Sequence, residues 1–220
     1  MMKLFLLFSA TFLSVSAHGY DVAQWISGFP VGNTTVCEQE HKKLWECVRP
    51  YRHLFNIVFK HLDDPNVYYD IDLMKHELQA VKQVRECLGN DLKCDFIELM
   101  AYYLDTANYF QNTVYGDAFQ CVSDAKAIMF VEDCYVSMQE EFNQSLNNRS
   151  DFSKTKRSIL DCAARKVYST PSCTIDRIVE LYKAGSALLD WYYMAIRMNK
   201  KYPFEAEKFE AEKFDAGKYC

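Results

Sequence analysis

Nine cysteines constrain this chain more than any other feature: Cys37, Cys47, Cys87, Cys94, Cys121, Cys134, Cys162, Cys173 and Cys220. They are spaced wrongly for zinc. Structural zinc sites set ligand pairs two to four residues apart, and the closest pair here, Cys87 and Cys94, is seven apart. No C-x-x-C occurs, so a thioredoxin-like redox motif is also unsupported. The compartment then decides what the cysteines do. Met1-Met2-Lys3 is a short positive start, Leu4 to Leu13 is apolar, and Val15-Ser16-Ala17 is a small-residue box. That order describes a secretory signal with cleavage between Ala17 and His18. The apolar run is too short to span a bilayer, which takes roughly 20 residues. In an oxidising compartment cysteines pair. The eight from Cys37 to Cys173 are therefore expected to form intrachain disulfides, with the connectivity left open. Cys220, the last residue, is the odd one out. It is expected to be exposed and either free or bridged to a second chain, giving a disulfide-linked dimer.

Composition adds a core to these staples. Apolar residues make up 50% and charged residues 25% of the chain, as in globular proteins. Only 7 Gly and 5 Pro exclude collagen-like and Pro/Gly-rich classes. The net charge of -5 argues against nucleic acid as a partner, since phosphate binding needs a basic surplus. Sequons at Asn33, Asn143 and Asn148 fit an N-glycosylated secreted protein.

Helical periodicity dominates, and strand alternation is nearly absent. After the signal (1–17) and an arm (18–34), a helical domain is expected over 35–202. Thr35 with Glu38 forms a capping box, and Pro50 separates the first helix from a second carrying Tyr51, Leu54, Phe55, Val58 and Leu62. Asp70 or Asp72 caps a third, with Met74, Leu78, Val81, Val84 and Leu88 inward and Gly89-Asn90 as its stop. The fourth runs from Cys94 to Val114 and is closed by Gly116; a fifth runs from an Asp117 cap to Phe142. Asn143 to Ser150 reads as a surface loop, Ser153 to Tyr168 as a helix, and Thr174 caps the last helix, to Asn199. The expected fold is an all-α, disulfide-stapled bundle of about six or seven helices with a low-complexity C-terminal tail. That tail, 203–220, repeats Phe-Glu-Ala-Glu-Lys at 204 and 209 and a degenerate copy at 214. Five residues turn a helix by about 500°, so its aromatics cannot share one face.

No catalytic constellation emerges. His76-Glu77 opens an H-E-x-x-H pattern, but position 80 is Ala. His53 and His61 read as surface histidines. No G-x-S-x-G elbow, P-loop or G-x-G-x-x-G occurs. A mature N-terminal His18 would join an imidazole and an α-amine, as a copper brace does, but the helical pattern is not the β-rich setting of such braces. No cofactor, no metal and no enzyme activity is expected. The doublets Tyr68-Tyr69, Tyr102-Tyr103 and Tyr192-Tyr193, with Trp191, read as core or as the lining of a pocket.

The layout Cys37-x9-Cys47, Cys87-Leu-Gly-Asn-Asp-Leu-Lys-Cys94, Cys121-x12-Cys134 and Cys162-x10-Cys173, ahead of an amphipathic helix, resembles the nematode-expanded secreted family known as domain of unknown function nineteen. It is also similar to insect haemolymph glycoproteins. The resemblance implies an extracellular, disulfide-bonded, all-α domain over residues 35–195 and brings no activity with it. Two functions follow as expectations. The first is an extracellular interaction or structural glycoprotein with a protein partner. The alternative is a carrier of a hydrophobic, lipid-like ligand. An exposed aromatic patch favours the first; an apolar cavity lined by Phe, Tyr and Met favours the second.

Overall fold

A computed structural model describes residues 34–60 and 64–197. The signal segment with Ala17 and His18, the Asn33 sequon, His61, and the tail with Cys220 lie outside the described residues. Among the described residues there is no strand, and the fold is an all-α, disulfide-stapled assembly of helices. The helices are α1 (Thr34–Val48), α2 (Arg52–Lys60), α3 (Ile71–Leu88), α4 (Asp95–Tyr115), α5 (Phe119–Ala125), α6 (Ala127–Ser137), α7 (Gln139–Ser145), α8 (Arg149–Tyr168) and α9 (Ile175–Arg197). Short 3-10 turns at Arg49–Tyr51 and Pro65–Tyr69 precede α2 and α3. No described helix is long and apolar enough to cross a membrane.

The stretch read from sequence as a single helical domain is described here as two compact units, divided between Asn108 and Tyr109, within α4. In the N-terminal unit α3 packs on α1 and α2. Asp70 caps α3 by accepting a hydrogen bond from the Leu73 N–H at 3.0 Å. Gly89 ends it at φ +75, a conformation that glycine adopts without strain. The inward face of α3 is Met74, Glu77, Ala80, Val81, Val84 and Leu88. Leu78, expected inward, is half-buried, and Glu77 takes a core position instead.

In the C-terminal unit α8 is central and packs on α6, α7 and α9. The single helix expected from Asp117 to Phe142 is three. Lys126, in the left-handed conformation at φ 52, separates α5 from α6, and Met138 at φ -122 separates α6 from α7. Sequence periodicity spans such breaks, because one residue leaving the helical region barely disturbs the apolar register. The expected Asn143–Ser150 loop is also mostly helical: Asn143 lies in α7 and Ser150 in the first turn of α8. Asn148 caps α8, its side chain accepting from the Ser150 N–H at 2.9 Å. The Thr174 hydroxyl accepts from the Arg177 N–H at the start of α9, as its position predicts.

Both units use the same disulfide plan. Cys37–Cys94 encloses Cys47–Cys87, and Cys121–Cys173 encloses Cys134–Cys162. The geometry of α1 explains the first pair. Cys37 and Cys47 are ten residues apart, about 15 Å along a helix at roughly 1.5 Å per residue. The seven-residue step from Cys87 to Cys94 covers up to about 23 Å when extended, at roughly 3.3 Å per residue. It therefore runs back beside α1 and meets both cysteines in reverse order. Glu40 reinforces this return: its carboxylate accepts from the Lys93 and Cys94 N–H groups at 2.9 and 3.0 Å, where α4 begins.

Candidate functional site

The aromatic residues that sequence offered as pocket lining are core. Tyr68, Tyr102, Tyr103, Trp191 and Tyr193 are buried, and Tyr192 is half-buried. Phe142 sits at the centre of an aromatic cluster, against Tyr135, Phe152 and Tyr192 at ring-centroid distances of 5.2, 5.7 and 5.6 Å. Phe152 stacks on Tyr193 at 4.4 Å. Burial raises the pKa of both Tyr135 and Tyr192, and their side chains are hydrogen-bonded to each other.

The candidate site is instead an aliphatic cavity of about 70 Å³ inside the C-terminal unit. Its walls come from α8 (Leu160, Ala163, Ala164, Val167) and α9 (Ile178, Tyr182, Leu188), with Val114, Val122 and Ala127 closing it. Four further lining residues, Phe110, Val131, Leu181 and Gly185, are half-buried and form its rim. Small residues make the space. Ala163 and Ala164 on α8 and Gly185 on α9 carry little or no side chain where two long helices pack. A methyl group added at Gly185 would stand 2.8 Å from Leu160 Cδ2. Leu160 thus packs over Gly185 and borders the cavity beside it.

The lining of the cavity is predominantly apolar. Tyr182 is the one lining residue with a side-chain hydroxyl, and it donates to Asp161 Oδ1 at 3.2 Å. Next to the rim, burial and then the charge of Glu180 raise the pKa of Tyr109. The cavity is open at its rim rather than sealed in the core. Its size is about half the roughly 150 Å³ that admits benzene and far below the roughly 300–1,000 Å³ of drug-sized pockets. The arrangement can therefore hold a thin hydrocarbon segment, such as the end of one alkyl chain, and not a ring system or a polar head.

The other sequence-flagged positions fall elsewhere. The eight cysteines from Cys37 to Cys173 are all bridged. Asn143 and Asn148 are exposed, on α7 and at the start of α8. His53 and His76 are exposed; Glu77, beside His76, is buried at 1% exposure. His41 is half-buried against the Phe96 ring at 5.3 Å, and burial lowers its pKa. No group of His, Cys, Asp or Glu among the described residues could hold a metal ion. The cavity itself was missed in the sequence. Its signal was present in the small residues Ala163, Ala164 and Gly185 within otherwise bulky helical stripes. Compared with known proteins, the chain matches no family model, no curated protein and no solved structure.

Proposed function

We propose that this chain is a secreted, disulfide-stapled helical carrier whose C-terminal unit takes up the end of a slender apolar chain. The observation that carries the reading is the aliphatic cavity between α8 and α9, with its half-exposed rim of Phe110, Val131, Leu181 and Gly185. Secretion is supported by the signal pattern at 1–17, by four disulfides, by exposed Asn143 and Asn148 in sequons, and by the cysteine layout that resembles domain of unknown function nineteen. The interaction-glycoprotein reading, the first of the two expected from sequence, would be favoured by an exposed aromatic patch. Val136 and Ile175, both aliphatic, are exposed large apolar side chains of the described surface. The apolar lining of the cavity favours the carrier. Cys220 has no cysteine left to pair with among the eight bridged ones, which supports a capped thiol or a disulfide-linked dimer.

Magnitudes bound the affinity. Each buried methylene contributes about 0.8 kcal/mol, so five give a Kd near 1 mM and ten, with the chain continuing over the rim, near 1 µM before ordering costs. Calorimetric titration of the full secreted chain with dodecanoate and dodecanol tests this. Binding of both with a negative heat-capacity change is expected, because the predominantly apolar cavity buries hydrocarbon. Ala164→Leu, which fills the cavity, and Leu181→Asp, which charges its rim, should each weaken binding at least tenfold. Unchanged heats in both variants would refute the assignment.

A further inference from the structure

The four disulfides differ in how they meet solvent. Cys37, Cys94, Cys121 and Cys173 are 3, 3, 0 and 7% exposed, so both enclosing bridges are sealed in their cores. In Cys134–Cys162, Cys134 is 0% exposed and Cys162 half-buried. Cys87 alone among the eight bridged cysteines is exposed, while its partner Cys47 is 3% exposed. Thiol–disulfide exchange requires a thiolate to approach one sulfur from the side opposite its partner. Of the bridged cysteines, Cys87 is the exposed residue and so the one most open to an incoming thiolate, while its partner Cys47 is buried.

We propose that Cys47–Cys87 is a thiol–disulfide exchange site, attacked at Cys87 Sγ. The incoming thiolate forms a bond to Cys87 Sγ, and the Cys47–Cys87 bond breaks with its electron pair on Cys47 Sγ. Cys47 then takes a proton from water. One disulfide replaces another, so no oxidant or reductant is consumed. The reverse step is intramolecular, because Cys47 stays packed in the core beside the mixed disulfide, and closing it expels the added thiol. The attacking thiol is either a low-molecular-weight thiol of the medium or Cys220 of a second copy.

The surroundings let the bridge open without unfolding its unit. Cys37–Cys94 still ties α1 to the start of α4. Glu40 still holds the Lys93 and Cys94 N–H groups. Arg85, two residues before Cys87, donates to the Gly89 carbonyl at 2.8 Å, to Asn90 Oδ1 at 2.9 Å and to Asp105 Oδ1 at 2.9 Å. The C-terminal end of α3 is thus fixed by a guanidinium as well as by the bridge.

The test uses the full secreted chain treated with reduced glutathione at neutral pH, quenched with N-ethylmaleimide and mapped by peptide mass spectrometry. Glutathione on Cys87 and maleimide on Cys47 should appear at least ten times faster than modification of any other bridge. The helical circular dichroism should be unchanged. The Cys220→Ser variant should behave identically towards glutathione. In wild type without glutathione, a peptide joining Cys87 to Cys220 of a second copy, absent from Cys220→Ser, would identify the second copy as a natural source of the thiol; its absence would assign the site to small thiols. The proposal is overturned if no bridge reacts, if another bridge reacts first or all react together, if glutathione is found on Cys47, or if modification is accompanied by loss of helix.

Discussion

Replacing Gly185 by alanine sets two effects of known size against each other. Gly185 lies inside α9 and has ordinary helical backbone, since Gly89 is the one described glycine at positive φ. Alanine is therefore sterically allowed by the backbone, and removing a mid-helix glycine should stabilise by about 0.8–1.0 kcal/mol. Against this, the new methyl would stand 2.8 Å from Leu160 Cδ2. In a filled core such overpacking costs about 1–3 kcal/mol. Here Leu160 borders the cavity and can turn its terminal carbons into about 70 Å³ of open space. The remaining cost is that of a displaced rotamer, about 0.5–1.5 kcal/mol. The net change should thus lie within about 0.7 kcal/mol of zero, while the cavity narrows and dodecanoate binding weakens at least threefold. Urea unfolding measures this best in a Trp25→Phe/Trp45→Phe background, where Trp191 is the remaining tryptophan and reports the C-terminal unit. The same substitution in a Leu160→Ala background should stabilise by the full ~1 kcal/mol, because no clash is left to offset helix propensity. If Gly185→Ala destabilises the otherwise native chain by more than about 2 kcal/mol, Leu160 has nowhere to go and the cavity argument is wrong.

Two further predictions concern the N-terminal unit. Glu40→Ala removes an acceptor shared by two N–H groups where α4 starts, and should cost about 2 kcal/mol, with faster hydrogen exchange at Lys93 and Cys94. Glu40→Gln, which keeps one acceptor oxygen, should recover part of that loss; equal exchange rates in wild type and Glu40→Ala would contradict the role. Burial pushes the Tyr69 pKa up from 10.0 to about 12. A raised folded pKa means that its contribution is intact below pH 10 and is lost between about pH 10 and 12, as the unfolded chain ionises first. Absorbance titration at alkaline pH should show a late-ionising fraction, and Tyr69→Phe should reduce that fraction by one tyrosine and make the unit more resistant to alkali. A titration curve identical in the two proteins would rule this out.

Much of the architecture could be read from residue order, because it depends on local chemistry. Caps at Asp70 and Thr174, the stop at Gly89 and the absence of alternating apolar runs dictate helices whatever surrounds them. The secretory pattern and the spacing of the cysteines likewise pointed to disulfides before any partner was known. Reading failed where one residue's geometry overrides a periodic pattern, as at Lys126, whose left-handed turn splits a long predicted helix. It also failed where a core position is polar: Glu77 displaces Leu78 from the inward face of α3. What needed three dimensions was every property that depends on residues far apart in sequence. Which cysteine meets which follows from the chain running back along α1, a matter of rise per residue and of tertiary path. The exposure of Cys87 beside a buried Cys47 has no sequence signature at all. The cavity is likewise a difference between volumes: Ala163, Ala164 and Gly185 read as ordinary small residues until α8 and α9 are packed together and the space that they fail to fill can be measured.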